Sequence, residues 1–203
     1  AEEKWDKETE LLVMGCGPAG ISAAVEAADN GCENVIIIEK IGTIGGTALI
    51  SEGILSGYET HLAKKFDVHV TADECYDRMM ELSNYRNDPE LTRITAEKCG
   101  ETIDWLMDVL KVPFEDEVVV NPSYGPLRMV HNVKGKGSGF LEPFRNALES
   151  RNIEVLLNTP GKKLLTGQNG EIIGAIAVDP DGNEIRIKAK AVVLATGGFG
   201  NNT

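Results

Sequence analysis

The sequence has little positive charge, few aromatic residues and no long apolar run. Its 203 residues include 20 Lys and Arg against 32 Asp and Glu, which gives a net charge of -12, and only 5% are aromatic. The lack of a basic stripe argues against nucleic acid as a partner. No apolar run approaches the roughly 18 residues of a membrane-spanning helix, so no membrane span is predicted.

The four cysteines also lack any spacing that is typical of a metal site or a redox motif. Cys16, Cys32, Cys75 and Cys99 form no CxxC pair, and no His accompanies them at metal-ligand spacing. We therefore expect buried, reduced thiols and no metal site. A disulfide framework is not expected in a chain of this length.

Glycine, by contrast, is abundant. The 22 glycines exceed the about 14 expected at the usual frequency, and they gather at residues 15–20, 42–57, 135–139 and 197–200. Clustered glycine marks backbone that turns sharply or approaches another group closely. Apolar residues make up 42% of the chain, which is enough for the core of one domain, alone or with a small satellite.

The first glycine cluster lies between a predicted strand and a predicted helix. The apolar run at 10–14 leads into Gly15-Cys16-Gly17-Pro18-Ala19-Gly20, and an alanine-rich helix is predicted over 19–30. The β-branched run at 34–39 predicts a strand buried on both faces, as in a parallel sheet. Residues 10–39 therefore read as one βαβ unit. The glycines of such a unit permit the turn, and the helix N-terminus binds the pyrophosphate of a dinucleotide.

Glu39 stands at the end of the second predicted strand, 24 residues after Gly15. A carboxylate there can accept hydrogen bonds from the adenosine ribose, and it would repel a 2′-phosphate, which disfavours NADP. The alternative is an ordinary surface glutamate. Lys40 beside it is interpreted as a solvated charge at the rim of the site.

Two further glycine loops extend the candidate site. Gly45-Gly46-Thr47-Ala48, followed by Ser51 and Gly53, would grip the far end of a long cofactor, which favours FAD over NAD; the alternative is a flexible surface loop. Ala195-Thr196-Gly197-Gly198 follows a predicted buried strand and would meet the cofactor from the opposite side. Alone, this last motif would be a plain strand-end turn.

The remaining pattern predicts an α/β fold: a Rossmann-like parallel sheet with a small helical insertion and a β-meander. We expect a lead-in at 1–9, a domain over 10–203 and a helical lobe over about 60–111, with an irregular segment at 112–138. Helices are predicted at 72–84, 88–110 and 139–151. Strands are predicted at 154–157, 163–165, 172–178, 185–187 and 189–194, with a hairpin turn at 181–183.

His131 and Arg128 flank the glycine-rich stretch at 135–139. A His and an Arg beside such a stretch could belong to a substrate site. The favoured interpretation is that both are structural or solvent-facing.

Together these residues resemble the fumarate reductase and succinate dehydrogenase flavoprotein family. The likeness is closest to its soluble branch of fumarate and urocanate reductases, related enoate reductases and 3-oxosteroid dehydrogenases. The matching segments are 10–20, Ile38-Glu39-Lys40, 45–48, Asn87-Asp88-Pro89-Glu90-Leu91 and Val192–Phe199. The resemblance implies a glutathione-reductase-type FAD domain in an oxidoreductase that acts on CH–CH groups.

The resemblance also implies site residues. Its FAD contacts carry over to Gly15, Gly17, Gly20, Glu39, Thr47, Ala48, Gly53 and the 196–198 loop, with a backbone contact to adenine near Gly161. The chain departs from the family at Glu52-Gly53, where Gly-Gly is common, and at Gly161, where a small apolar residue is usual nearby. No His occurs at 45–54, so the resemblance implies non-covalent FAD.

The candidate cofactor-binding residues are Gly15, Gly17, Pro18, Ala19, Gly20, Glu39, Lys40, Gly45, Gly46, Thr47, Ala48, Ser51, Gly53, Gly161, Ala195, Thr196 and Gly197. No catalytic residue is assigned, because the family's catalytic arginine and substrate histidines resemble nothing in residues 1–203. We therefore expect an incomplete FAD domain without its capping domain, or a natural short subunit.

Three functions follow as expectations. The first is hydride transfer between flavin N5 and an activated C=C bond of a fumarate-like, enoate or 3-oxosteroid substrate. The resemblance implies a small-molecule substrate and an electron-donor protein or haem domain as partners. The second is a non-catalytic FAD-binding subunit or fragment, and the third is a plain NAD-binding Rossmann domain.

Overall fold

The computed structural model describes residues 4–122 and 125–198. Its strands are β1 (Lys7–Met14), β2 (Val35–Ile38), β3 (Ile54–Ser56), β4 (Val119–Val120), β5 (Arg128–Asn132), β6 (Glu154–Leu156), β7 (Gly161–Thr166), β8 (Ile172–Val178) and β9 (Glu184–Leu194). Its α-helices are α1 (Pro18–Asp29), α2 (His61–Lys65), α3 (Ala72–Leu82), α4 (Pro89–Asp108) and α5 (Leu141–Glu149). Residues 1–3 of the predicted lead-in, and Phe199 of the family resemblance, lie outside the described residues.

The described chain divides into two compact units. The first consists of the residues up to Ile50 together with those from Phe144 onwards, and the second lies within Ser51–Pro143. The N-terminal and C-terminal parts of the chain therefore fold together, and the segment between them forms a unit of its own.

The first unit contains a six-stranded sheet, as far as the described residues show, in the order β6-β2-β1-β9-β8-β7. The four strands β6, β2, β1 and β9 run parallel, whereas β8 is antiparallel to both β9 and β7. The predicted α/β class, with a Rossmann-like parallel sheet and a β-meander, is confirmed. Because β1, β2 and β9 are parallel, their last residues Met14, Ile38 and Leu194 lie side by side. The row formed by the C-terminal ends of these strands is called the carboxyl edge of the sheet.

Burial explains why these segments form strands and a helix. All four residues of β2 are buried, which is typical of a strand covered on both faces. In α1 the buried residues are Gly20, Ile21, Ala24 and Val25, a stripe along one face of the helix. The apolar residues of 10–39 thus form the buried faces of one βαβ unit.

The described part of the second unit combines helices with a three-stranded antiparallel sheet in the order β3-β5-β4. Asp88 caps α4 by accepting a hydrogen bond from the Leu91 N–H at 2.9 Å, with Pro89 in the first turn. Thr71 and Glu74 form a capping box at the start of α3. No helix in the described part of the chain is both long and apolar enough to cross a membrane.

Two boundaries in the first unit differ from the sequence prediction. The predicted lead-in at 1–9 is three residues too long, because Lys7, Glu8 and Thr9 already belong to β1 and pair with β9. The separate strands at 185–187 and 189–194 are one strand, and its end is not buried: Leu194 is 60% exposed. The β-branched and apolar residues there indicated a strand correctly, but strand propensity carries no information on cover.

The segments predicted as loops contain regular structure in the second unit. The region 112–138, predicted to be irregular, contains β4 and β5, and the glycine loop at 41–57 contains β3. The short helix α2 was also not predicted. Strands of two to five residues give too few alternating positions for a period to be recognised, and pairing partners distant in sequence stabilise them.

Candidate functional site

The first glycine loop crosses from β1 to α1 with almost no free space around its backbone. Gly15 has a φ of +109°, and a Cβ there would lie 2.3 Å from the Ala195 carbonyl oxygen. A Cβ at Gly20 would lie 1.9 Å from the carbonyl oxygen of Gly15. The first glycine therefore permits the turn and a close neighbour, and the third permits the helix to start directly against the strand.

The N-terminus of α1 is open towards solvent. Gly17 is its N-cap with extended backbone, and no side chain among the described residues caps the helix. Pro18 occupies the first turn, where the missing N–H costs nothing, and Pro18 and Ala19 are exposed. Free N–H groups and the helix dipole at such an end favour an anion.

Glu39 is tied to the glycine loop by backbone hydrogen bonds. One carboxylate oxygen accepts from the Cys16 N–H at 2.8 Å and the other from the Ile41 N–H at 3.0 Å. A carboxylate has about four lone-pair positions, so each oxygen retains one for a further donor. The backbone N–H groups of Cys16 and Ile41 thus belong to the site, and the sequence indicates this only through the position of Cys16 inside the glycine motif.

The loop after β2 returns to the first glycine loop. The Gly45 N–H donates to the Cys16 carbonyl at 2.6 Å. Gly46 has a φ of +52°, and a Cβ there would lie 3.1 Å from the Gly17 Cα. A Cβ at Gly17 would fill the remaining gap, 4.0 Å from the Gly46 Cα. Thr47 and Ala48 follow in a 3-10 helix, Gly46–Ile50, with Thr47 exposed.

The last glycine loop lies beside the first. The Ala195 N–H donates to the Met14 carbonyl at 2.9 Å, which extends the β1–β9 pairing by one step. A Cβ at Gly15 would lie 3.3 Å from the Thr196 Cα. Gly197 has a φ of +76° and is exposed, as is Thr196. The two turns that stand about 180 residues apart in sequence are therefore neighbours at one sheet edge.

Gly161 is the first residue of β7 and lies close to the C-terminal ends of β1 and β2. A Cβ there would lie 2.1 Å from Met14 Cε and 3.2 Å from Ile38 Cδ1. The absence of a side chain lets this backbone pass close to the same sheet edge. Lys40 is exposed next to Glu39. The structure thus brings together all the candidate residues that belong to the first unit.

Ser51 and Gly53 belong to the second unit, where local packing accounts for both. The Ser51 side chain accepts from the Gly53 N–H at 3.1 Å, and its carbonyl accepts from the Gly137 N–H at 3.0 Å. Gly53 has a φ of +67°, and a Cβ there would lie 2.7 Å from the Lys136 carbonyl carbon. The neighbouring Glu52 pairs with Lys136 at 2.7 Å.

His131 and Arg128 have structural partners, as the favoured interpretation held. His131 is completely buried in β5; one ring nitrogen contacts Thr60 Oγ1 at 2.7 Å and the other the Met129 carbonyl at 3.1 Å. Burial lowers the pKa of His131, against a smaller opposing effect of the Met129 carbonyl. Arg128 Nε donates to the Val118 carbonyl at 2.6 Å.

The thiols near the site are not activated. Burial, followed by the charge of Glu39, raises the pKa of Cys16 to about 12, so this thiol stays neutral. All four cysteines are free within residues 4–122 and 125–198; Cys16 and Cys75 are buried, and Cys32 and Cys99 are partly exposed. The expected full burial is therefore wrong for two of them. No cluster of three or more His, Cys, Asp or Glu in the described chain could hold a metal ion.

The first unit contains a cavity of about 290 Å³, which is lined by residues that include Gly42, Thr43, Ile44, Arg145 and Leu148. Among the described residues, none of the candidate cofactor-binding residues lines this cavity. The glycine turns instead form an open cradle. A helix N-terminus without a side-chain cap, a carboxylate with remaining acceptor capacity and backbone without Cβ atoms fit the pyrophosphate and ribose of a dinucleotide.

These elements, gathered at the carboxyl edge of a parallel sheet, define a dinucleotide-binding domain. A comparison with protein families makes the assignment more specific. The chain belongs to the FAD binding domain family, whose model matches residues 10–203.

Individual relatives are similar over nearly the whole chain. The chain is 28% identical over 204 residues to the urocanate reductase of Eggerthella lenta, covering 100% of this chain and 34% of that protein. It is 29% identical over 197 residues to a fumarate reductase (cytochrome) of Shewanella frigidimarina, covering 95% and 34%. The chain thus spans about a third of the length of the curated relatives it matches.

Solved structures agree with these sequence relatives. The open conformation of a flavocytochrome c3 fumarate reductase superposes with a TM-score of 0.84 at 29% identity, covering 98% of this chain and 35% of that one. A 3-ketosteroid-delta4-(5alpha)-dehydrogenase from Rhodococcus jostii RHA1 gives a TM-score of 0.83 at 24% identity, covering 98% and 48%, and shows the shared fold. The resemblance stated from the sequence is confirmed at the level of the family.

Proposed function

We propose that this chain binds FAD non-covalently and forms the FAD-binding part of a flavin-dependent oxidoreductase that acts on an activated C=C bond. The observation that carries the proposal is the convergence of Gly15, Gly46 and Ala195 around the open start of α1, with Glu39 beside it. Membership of the FAD binding domain family supports the choice of cofactor. FAD, when bound, would supply hydride transfer through its N5 atom.

The residues of the first unit have distinct tasks in this proposal. The N–H groups at the start of α1 bind the pyrophosphate, with Gly17 leaving room for its approach. Glu39 accepts hydrogen bonds from the ribose hydroxyls. Gly161 allows backbone contact with adenine, and the 45–48 and 195–197 loops flank the cofactor. Lys40 stays a solvated charge at the rim.

Ser51 and Gly53 remain candidates for contact with the flavin end of the cofactor. Non-covalent attachment is proposed because the segment 45–54 contains no His that could form a tether to the flavin.

The substrate class is proposed from the relatives. Two of them are named for the reduction of urocanate and fumarate, which favours a small unsaturated acid over a steroid. We propose a small-molecule substrate as one partner and an electron-donor protein or haem domain as the source of electrons. The domain arrangement proposed is the FAD domain predicted over 10–203, extended at its start to include all of β1 from Lys7, with a helical lobe at about 60–111.

A non-catalytic FAD-binding subunit is the second candidate function. It is considered because no catalytic residue is assigned within residues 1–203. The two candidates agree on FAD and differ on turnover.

Titration of the purified apoprotein with FAD, NAD, NADP and FMN tests the cofactor. We expect FAD to bind and stabilise the protein more than the other three. Stabilisation by NAD alone would contradict the proposal and favour a plain NAD-binding domain. Oxidation of a reduced viologen by fumarate or urocanate, with the FAD-loaded protein as catalyst, then separates the oxidoreductase from the non-catalytic subunit.

A further inference from the structure

Two cysteine side chains pack together in the second unit. Cys75 lies in the second turn of α3 and Cys99 lies on α4, and both pack in one apolar cluster with Tyr58 and Ala96. Packing in this cluster brings the two thiols close enough for each to shift the pKa of the other. Cys75 is 1% exposed, whereas Cys99 is partly exposed. Small solutes can therefore reach Cys99 first.

The surroundings of the two sulfurs differ in a way that distinguishes their chemistry. Hydrogen bonding with Cys75 lowers the pKa of Cys99, against an opposing effect of burial, and the same interaction raises the pKa of Cys75. The neutral Cys99 thiol donates to the Ala96 carbonyl at 3.4 Å. Backbone N–H groups of Tyr58 and Gly100 also lower the pKa of Cys99. A Cβ at Gly100 would lie 2.0 Å from the Tyr58 carbonyl oxygen, so this close approach depends on glycine. Burial raises the pKa of Cys32, which offers a comparison within the chain.

We propose that Cys99 and Cys75 form a peroxide-reactive dithiol, in which Cys99 is the nucleophile and Cys75 the resolving thiol. The partly exposed Cys99 thiolate attacks one oxygen of hydrogen peroxide and the O–O bond breaks. The sulfur is oxidised to a sulfenic acid, and the released hydroxide takes a proton and leaves as water.

The second step joins the two helices. The Cys75 sulfur attacks the sulfenic sulfur of Cys99, an S–S bond forms, and the sulfenyl hydroxyl leaves as water with the Cys75 proton. In sum, two thiols and one peroxide give one disulfide and two waters. The peroxide is the only oxidant that the reaction requires.

The test is peptide mapping of the purified protein after treatment with hydrogen peroxide. Remaining thiols are alkylated in denaturant, and the disulfide-linked peptides are identified by mass spectrometry. We expect a Cys75–Cys99 link, with Cys16 and Cys32 still alkylated. In Cys75→Ser, dimedone should label Cys99, and this labelling should proceed about tenfold faster than that of Cys32, because thiolate fraction outweighs the lower nucleophilicity of a low-pKa thiol.

Two variants serve as controls. Cys99→Ser should leave Cys75 reduced at the same peroxide dose, and Cys32→Ser should form the Cys75–Cys99 link as the unmodified protein does. Far-UV circular dichroism verifies folding. Cys75→Ala replaces Cys75→Ser if the serine variant is unfolded; because alanine cannot donate to Cys99, dimedone labelling of Cys99 is then expected without the tenfold difference in rate. Alkylated Cys75 and Cys99 after peroxide treatment of the unmodified protein would overturn the proposal, as would equal oxidation of Cys75 in Cys99→Ser.

Discussion

The Glu39 side chain accepts hydrogen bonds from two backbone N–H groups of its own chain, and its position after β2 leaves it acceptor capacity for a ligand. A single residue therefore connects the shape of the glycine loop with the choice of cofactor. The same carboxylate would repel a 2′-phosphate, so one substitution can test both the ribose contact and the discrimination against NADP.

We predict that Glu39→Ala weakens FAD binding by about 1–3 kcal/mol, because the ribose hydroxyls lose a charged acceptor and the Cys16 and Ile41 N–H groups lose theirs. Isothermal titration of the apoprotein with FAD gives the dissociation constant. Glu184→Ala, at the exposed start of β9, is the matched control and should bind FAD as the unmodified protein does. An unchanged dissociation constant in Glu39→Ala would exclude the ribose role.

Glycine at position 20 can be tested independently of any ligand. A Cβ there would meet the backbone oxygen of Gly15 at 1.9 Å, and this atom cannot move aside as the end of a side chain can. We predict that Gly20→Ala lowers the free energy of unfolding by about 3 kcal/mol, the upper part of the usual range for overpacking. Urea unfolding followed by circular dichroism gives the value.

The control for this substitution is Gly198→Ala. Apart from Gly198 itself and its two chain neighbours, no atom of the described chain lies within 4 Å of a Cβ at Gly198, so the effect of this substitution should stay within about 1 kcal/mol of zero. Equal stabilities of the two variants would mean that α1 can shift away from β1 without cost.

At the level of secondary structure, the sequence predicted the long elements and the glycine turns between them. The run Val-Ile-Ile-Ile of β2 and the alanine-rich α1 are strong local signals, and both helix starts at Pro18 and Pro89 follow from proline preference for the first turn. The same reasoning could pair distant glycine loops, because parallel strands end at one edge.

Short elements and burial were beyond that reasoning. The pairing of β3 with β5 joins segments that lie some 75 residues apart, Ile54 with Asn132 at the extreme, and no local pattern encodes such a partner. The backbone hydrogen bonds of Cys16 and Ile41 to Glu39 likewise depend on how the loop closes. Whether Leu194 is covered cannot be read from its apolar character alone.

The hydrogen bond between His131 and Thr60 links β5 to the start of α2, because Thr60 also accepts from the Ala63 N–H as the helix N-cap. His131 is fully buried, and its folded-state pKa is lowered, chiefly by burial. The unfolded chain therefore binds more protons than the folded protein below about pH 6.5, the ordinary value for His. The contribution of neutral His131 to the free energy of unfolding is complete above that pH and is lost as the pH falls towards the folded-state pKa.

We predict that the free energy of unfolding falls by about 1 kcal/mol per pH unit just below pH 6.5 because of His131 alone. His131→Gln should be less stable at neutral pH and should lack this part of the slope. Urea unfolding over this pH interval, compared with His69→Gln at an exposed position, measures the difference. The same slope in His131→Gln and the unmodified protein would contradict the assignment.

At the level of the whole molecule, the chain forms two compact units, and the candidate residues are divided between them. Most lie in the first unit, whereas Ser51 and Gly53 lie in the second, where their own neighbours explain them. A ligand that binds the folded first unit must stabilise it by mass action. This gives a measure of binding that requires no turnover and no further domain.

We predict that FAD at about 100 times its dissociation constant slows exchange of the Leu12 and Val13 amides about 100-fold, equivalent to about 2.7 kcal/mol. Both residues are completely buried in β1, so their amides should exchange only when the first unit unfolds. Hydrogen exchange measured by mass spectrometry or NMR gives the ratio, and FMN, which lacks the adenosine that Glu39 would hold, should slow these amides far less.

Glu39→Ala should reach the same protection only when FAD is raised to the same multiple of its weaker dissociation constant. Protection that appears in the second unit but not at Leu12 and Val13 would contradict a site built on β1, α1 and β9.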